Sequence, residues 1–180
     1  MQHSAESEKA LRPFFPGKGR VMNFDLRMAM LSQGGALSAA QQTQDILSCN
    51  ETTAAYGLQL TPQQAQALLD TRSAALRKTG RIELGGSILQ KVVLTFCDSP
   101  YLTQENYESA LHDLVDAFYH FKNETEDRVG DDALLQYMKR AFDGPCRGSL
   151  ELLTGTVLPD MARKLRAKAA RPLTGEARHD

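Results

Sequence analysis

Residues 101–166 have the sequence YLTQENYESALHDLVDAFYHFKNETEDRVGDDALLQYMKRAFDGPCRGSLELLTGTVLPDMARKLR. Apolar residues recur in it at steps of three and four, the spacing that places side chains on one face of an α-helix. In the first block, this face consists of Tyr107, Leu111, Leu114, Phe118 and Phe121. Such a stripe is typical of a helix that packs against other helices. The stretch therefore predicts three amphipathic helices of an all-α domain.

Start and stop residues delimit the first two of these helices. Thr103 is placed to cap the first, which we expect to run to about Lys122. Asp131 is expected to cap the second, and Gly144 is expected to end it. The predicted inward face of the second helix consists of Leu134, Leu135, Met138 and Phe142.

The third predicted helix of the stretch contains two residues that disfavour a regular α-helix. Ser149 is placed to cap it. Gly155 has low helix propensity, and Pro159 cannot donate a backbone hydrogen bond, so we predict a kink or a break near the middle. The sequence is polar from Ala167 onward, and we expect fraying there.

Two more helices are predicted before residue 81. The first has Ser38 as its cap and runs to about Tyr56, where Gly57 can supply the positive φ that favours a helix end. The second begins at Thr61-Pro62, a cap followed by proline at the first helical position. Gly80 is expected to stop it.

A dense apolar segment then opens at Gly85-Gly86-Ser87 and ends before Ser99-Pro100. Its apolar residues are Ile88, Leu89, Val92, Val93 and Phe96. Their spacing of four favours a helix over a strand, and their density predicts that this helix is central and buried.

Length and composition bound the organisation of the chain. A chain of 180 residues suits one domain with a well-packed core. We predict a compact bundle of about five to seven helices at residues 22–167. We expect residues 1–21 to form a disordered N-terminal extension and residues 168–180 to form a polar C-terminal tail.

Net charge, apolar run length and cysteine spacing indicate which partners and which cellular compartment to expect. The formal net charge of −1 gives no overall attraction to nucleic acid or to an anionic membrane. The basic segment Arg163–Arg171 lacks interleaved aromatic residues, which argues against nucleic-acid binding. No stretch approaches the ~20 apolar residues of a membrane span. Cys49, Cys97 and Cys146 have no metal-ligand or redox spacing, so we predict a cytoplasmic protein.

One set of residues has the spacing of metal ligands. His112, Asp116 and His120 follow each other at steps of four on the predicted helix. However, steps of ~100° place them on the flank and the solvent side, away from the apolar face centred on Leu111. We therefore expect no metal site here, and nothing in the sequence implies a cofactor.

Two further segments combine cysteines with polar turn residues. The first contains Cys97, Asp98 and Tyr101, and the second contains Cys146, Arg147 and Ser149. The second leads into a helix N-terminus, where free N–H groups can bind an anion. These six residues are the candidate ligand-binding site. The alternative is structural, because buried thiols and capping side chains are common at helix ends.

Four segments carry a resemblance to a known family. They are residues 50–58 (NETTAAYGL), 96–101 (FCDSPY), 121–124 (FKNE) and 141–144 (AFDG), the last leading to 148–153 (GSLELL). Across roughly Ile46 to Arg166, the chain resembles a small bacterial family of uncharacterised helical proteins. The resemblance implies that residues before about Met22 lie outside the shared domain. It implies no activity, ligand or partner.

The absence of a specific catalytic motif favours a protein without enzymatic activity. Acidic residues are concentrated between Glu105 and Asp132, which gives this part of the helical surface a negative charge that the rest of the chain does not share. We therefore expect a non-enzymatic helical protein that acts by protein–protein interaction with an unidentified protein partner. The alternative is a small enzyme or ligand-binding regulator with its site near Cys97–Tyr101 and Cys146–Ser149.

Overall fold

The computed structural model describes residues 39–83 and 87–169. The predicted extension at residues 1–21, the cap at Ser38 and the glycines at 85 and 86 lie outside the described residues, as does the end of the predicted tail. None of the described helices is long and apolar enough to cross a membrane.

The described residues form a bundle of α-helices. These are α1 (39–48), α2 (Asn50–Thr53), α3 (Pro62–Thr79), α4 (Ser87–Phe96), α5 (Tyr107–Glu124), α6 (Asp131–Asp143), α7 (Leu150–Leu152) and α8 (Leu158–Ala169). A 3₁₀ turn, Ala54–Tyr56, follows α2, and a π-helical turn, Leu153–Val157, joins α7 to α8. Residues 39–83 and 87–169 contain no strand, so the predicted all-α fold is confirmed.

Helix α5 forms the centre of the bundle. It packs along α3 and also contacts α4, α6, α7 and α8. Its predicted inward residues, Tyr107, Leu111, Leu114, Phe118 and Phe121, are all buried. The predicted core residues of α4 are buried as well, which confirms the central helix predicted from their density, whereas Leu94 on the same helix is exposed. The buried residues are Ile88, Leu89, Val92, Val93 and Phe96.

Several predicted helix boundaries are confirmed by their hydrogen bonds. The Thr61 side chain accepts a bond from the backbone of Gln64, whose side chain in turn accepts one from the Thr61 backbone, a complete capping box. Gly57 and Gly80 follow their helices with positive φ, and the Ser149 hydroxyl accepts a bond from the Leu152 N–H.

Thr103 was the wrong cap for α5, which begins four residues later, at Tyr107. The reason is a competing turn. The Asn106 side chain accepts a hydrogen bond from the Thr103 N–H at 2.8 Å and donates one to the Tyr101 carbonyl at 3.0 Å. These bonds hold residues 101–106 in a turn, so the helix starts only beyond Asn106.

Asp131 was also the wrong cap, because Gly130 occupies the cap position of α6. The Asp131 carboxylate instead lies 2.7 Å from the Lys122 ammonium, which is buried at the end of α5 and also donates to the Val129 carbonyl. A buried ammonium requires a charged partner, and this need outweighs the local capping preference of Asp131.

The predicted irregularity in the last helical segment is confirmed as a π-helical turn with Gly155 at its centre. Pro159 has no N–H to donate to the Gly155 carbonyl four residues earlier, which favours the wider turn. The helix then continues to Ala169, so residues 167–169, where we expected fraying, are helical.

Tyr107 offers a test of the core. Its side chain is buried, and its hydroxyl has no hydrogen-bond partner among the residues that the structure describes. The nearby Thr53 hydroxyl donates its one proton to the Leu58 carbonyl at 2.7 Å, so it cannot also donate to Tyr107. A buried hydroxyl without a partner costs about 1–3 kcal/mol. We therefore expect Tyr107→Phe to leave the free energy of unfolding unchanged or to raise it by ~1 kcal/mol in urea denaturation.

The difference in stability between Tyr107→Phe and the native protein should depend on pH. Burial raises the pKa of the Tyr107 phenol in the folded protein. Above the ordinary tyrosine pKa of about 10, the unfolded chain loses this proton more readily, and stability falls. The advantage of Tyr107→Phe should therefore grow above about pH 10. A loss of more than about 1 kcal/mol at neutral pH would show instead that the hydroxyl makes a stabilising bond.

Candidate functional site

The fold brings together the two segments that the sequence singled out. Gly148 lies against the Tyr101 side chain so closely that a Cβ added to Gly148 would be 2.5 Å from the Tyr101 Cβ. The Tyr101 ring also packs edge-on against Phe142, at a centroid distance of 6.3 Å. Residues 97–101 and 146–149 thus form one junction, at the C-terminal ends of α4 and α6.

The polar groups of this junction bind each other. The Ser99 hydroxyl donates to the Asp143 carboxylate at 2.6 Å, and Lys139 pairs with both Asp143 and Asp98. Burial acts to lower the pKa of Lys139, but the hydrogen bonds that its ammonium donates to Asp143 and Asp98 outweigh this effect and raise the pKa. The ion pairs therefore tie α6 to the turn that follows α4.

The remaining predicted residues also have structural surroundings. Cys97 and Cys146 are buried, and burial raises the pKa of both thiols, which disfavours the reactive thiolate. Arg147 is exposed and has a positive φ of 49°, and Ser149 caps α7. This geometry is that of a packed helix junction, and ligand binding here stays a prediction.

A cleft lies elsewhere, between the end of α3, one face of α5, and α7. Its volume is about 450 Å³. It is lined by Ala75, Lys78, Thr79, Asp113, Asp116, Ala117, Tyr119, His120, Phe121, Leu150, Glu151 and Thr154. Apolar and aromatic groups are thus combined with charged ones in a single concave surface.

Helical periodicity explains how α5 contributes to the cleft. Asp113, Asp116, Ala117 and His120 stand at steps of three and four, so they form a single stripe. This stripe lies beside the buried face of α5. Asp113, Asp116 and His120 are exposed, as the sequence predicted. In the structure, the neighbouring helices α3 and α7 lie beside the stripe and make the surface concave.

The carboxylates of the cleft differ from other acids of the same region. Glu124, Glu126, Asp127, Asp131 and Asp132 each pair with a lysine or an arginine. Asp113, Asp116 and Glu151 have no ion-pair partner within 4.0 Å in residues 39–83 and 87–169. Asp113, Asp116 and Glu151 therefore remain available to a ligand in the cleft.

A buried polar cluster fixes the aromatic wall of the cleft. The Tyr119 hydroxyl donates to the Glu83 carboxylate at 2.5 Å, and the same carboxylate pairs with the buried Arg72 guanidinium at 2.9 Å. Burial, and then the bond to Glu83, raises the pKa of the Tyr119 phenol, so this group stays protonated. These bonds hold the buried Tyr119 side chain in place beside the cleft.

The three residues with metal-ligand spacing are divided by the fold. His112 lies beside α3, with its Nδ1 atom 2.6 Å from the Thr71 hydroxyl, whereas Asp116 and His120 line the cleft. Within the described part of the chain, no group of three His, Cys, Asp or Glu side chains could hold a metal ion.

Comparison with known proteins identifies the family to which the chain belongs. Residues 45–171 match DUF6323, a family of unknown function. The chain belongs to this family. The predicted resemblance to an uncharacterised family is thereby confirmed, and the matched segment of the DUF6323 domain includes every helix that lines the cleft. No curated protein and no solved structure matches the chain.

The sequence missed the cleft of the DUF6323 domain for an identifiable reason. The spacing of Asp113, Asp116 and His120 was visible, but it is equally typical of a solvated helix face. Lys78 and Glu151 come from helices that are distant in sequence, and neither stood out. The one available signal was that Asp113 and Asp116 lie on a stripe without neighbouring basic residues.

Proposed function

We propose that the DUF6323 domain binds a small organic molecule in the cleft formed by α3, α5 and α7. The observation that carries this proposal is the cleft itself. Its volume of about 450 Å³ lies within the range of small-molecule sites. Such sites combine an apolar lining with a few convergent polar groups, and this cleft has both.

The proposal replaces the candidate site predicted from the sequence with a different one. The polar groups near Cys97 and Cys146 already bind each other, so a ligand there would have to break the Lys139 and Ser99 contacts. In the cleft, Asp113, Asp116 and Glu151 have no such contacts with the other described residues to lose. A ligand can therefore gain their interactions at a lower desolvation cost.

Protein–protein interaction, the function favoured by the sequence, has less support. Its basis was the acidic region between Glu105 and Asp132, but many of these acids pair with lysines and arginines of the domain. Asp127 is held by Arg81, Asp132 by Lys91 and Glu124 by Arg166. Charges used in this way attract a basic partner only weakly.

An NMR screen tests the proposed function. The full-length chain, labelled with ¹⁵N, is titrated with a library of small organic compounds. We expect some to shift the amide signals of residues 75–79, 113–121 and 150–154, with dissociation constants of ~1 mM or lower. If no compound binds, or if the shifts cluster elsewhere, the proposal is wrong.

A matched pair of variants checks the location. Lys78 lines the cleft, whereas the adjacent Arg77 is exposed and about 100° away around α3. Lys78→Trp should fill the cleft and weaken binding at least about tenfold. Arg77→Trp makes the same change of charge and size in the same turn, and it should leave binding unchanged. Equal effects of the two substitutions would contradict the assignment.

A further inference from the structure

We infer that the ligand is an organic cation, an amine with an apolar body, and this inference rests on the proposed function. The charge of the cleft carries it. Asp113, Asp116 and Glu151 contribute carboxylates, against the single ammonium of Lys78. The lining is therefore net negative whether His120 is protonated or neutral.

The carboxylates are arranged around one region. Asp113 and Asp116 lie one turn apart on α5, about 4.5 Å along its axis at 1.5 Å per residue. Glu151 is contributed by α7, so it approaches from a different helix. A protonated amine in the cleft can donate a charge-assisted hydrogen bond to one of these carboxylates, which is stronger than a neutral hydrogen bond, while the other carboxylates add to the attraction.

The surroundings favour an organic cation over a metal ion. No group of three His, Cys, Asp or Glu side chains in residues 39–83 and 87–169 could hold a metal. The same cleft is lined by Ala75, Ala117, Phe121 and Leu150. A hydrated metal ion gains nothing from these apolar groups, whereas the hydrocarbon part of an amine buries surface against them.

The charge of the lining also disfavours other classes of ligand. An anionic ligand would meet repulsion from three carboxylates, and a neutral ligand would lack their attraction.

The test uses sets of three compounds that share one skeleton and differ in charge. One set consists of 2-phenylethylamine, 2-phenylethanol and phenylacetate; cyclohexyl and indole sets follow the same design. Affinities for the full-length chain are measured at pH 7 by NMR titration. We expect the amine of a set to bind about tenfold more tightly than the alcohol, and the carboxylate to bind most weakly.

Charge-neutralising variants locate the effect. In Asp113→Asn/Asp116→Asn, the affinity for the amine should fall to that for the alcohol, while the affinity for the alcohol stays the same. Glu105→Gln removes an exposed carboxylate outside the cleft lining and serves as the control, with no expected change. A dispersed NMR spectrum confirms that each variant is folded.

The outcomes separate this inference from the proposed function. If alcohols or carboxylates bind in the cleft as tightly as their amines, the charge inference is wrong and the cleft remains a ligand site. If amines bind but the double variant retains full affinity, the carboxylates do not select the ligand, and the inference is again overturned. If no compound of any charge binds, the proposed function itself is wrong.

Discussion

Replacing Phe118 with alanine is expected to lower the free energy of unfolding by about 3–5 kcal/mol. Phe118 is 1% exposed and lies on α5, the helix that contacts most of the bundle. Its ring packs edge-on against Tyr119 at 5.3 Å between centroids. Removing the ring loses buried apolar area and leaves a cavity that its neighbours can only partly fill. Urea denaturation monitored by circular dichroism measures the loss.

His120→Ala is the matched control on the same helix. His120 is exposed and lines the cleft, so its removal should change the free energy of unfolding by no more than about 0.5 kcal/mol. Similar losses for the two variants would mean that the faces of α5 are assigned wrongly. The assignment of the cleft would then be wrong as well, because the stripe on α5 that lines the cleft is placed relative to the buried face of that helix.

Replacing Gly148 with alanine is expected to destabilise the protein by about 2–4 kcal/mol. Two costs add in this position. Gly148 has a φ of +79°, a conformation that costs a residue with a Cβ roughly 1–2 kcal/mol. The added Cβ would also lie 2.5 Å from the Tyr101 Cβ, which forces the junction apart and costs a further ~1–3 kcal/mol.

Gly57→Ala isolates the first of these costs. Gly57 has a similar φ of +74°, but a Cβ there meets no atom within 4 Å among the described residues. Its substitution should therefore cost only about 1–2 kcal/mol in urea denaturation. In addition, Tyr101→Gly should partly rescue Gly148→Ala. Equal losses for the two glycines, without rescue, would show that residues 101 and 148 are not in contact.

The success and failure of the predicted caps have one physical explanation. Thr61 and Ser149 cap as predicted because their bonding partners lie within three residues along the chain. Asp131 does not cap α6, because the buried ammonium of Lys122 binds its carboxylate. Thr103 fails because Asn106 closes a turn around it. A capping prediction holds only where no stronger partner competes.

The site predicted near Cys97 and Cys146 was also limited by partners that lie elsewhere in the sequence. The sequence identified the residues near Cys97 and Cys146 by their types, and the fold did bring Tyr101 and Gly148 into contact. It did not reveal that Lys139, from a third segment, pairs with Asp98 and Asp143. Pairing of this kind depends on helix packing, which residue types in one segment do not encode.

The sequence by itself determined the helices and their buried faces, because a stripe such as Leu111, Leu114 and Phe118 follows from local periodicity and the hydrophobic effect. It also determined that Asp113, Asp116 and His120 are exposed. Only the tertiary structure decided that this exposed stripe lines a cleft. The concave shape depends on where α3 and α7 cross α5, and those crossings are set by side-chain packing between segments that are distant in sequence.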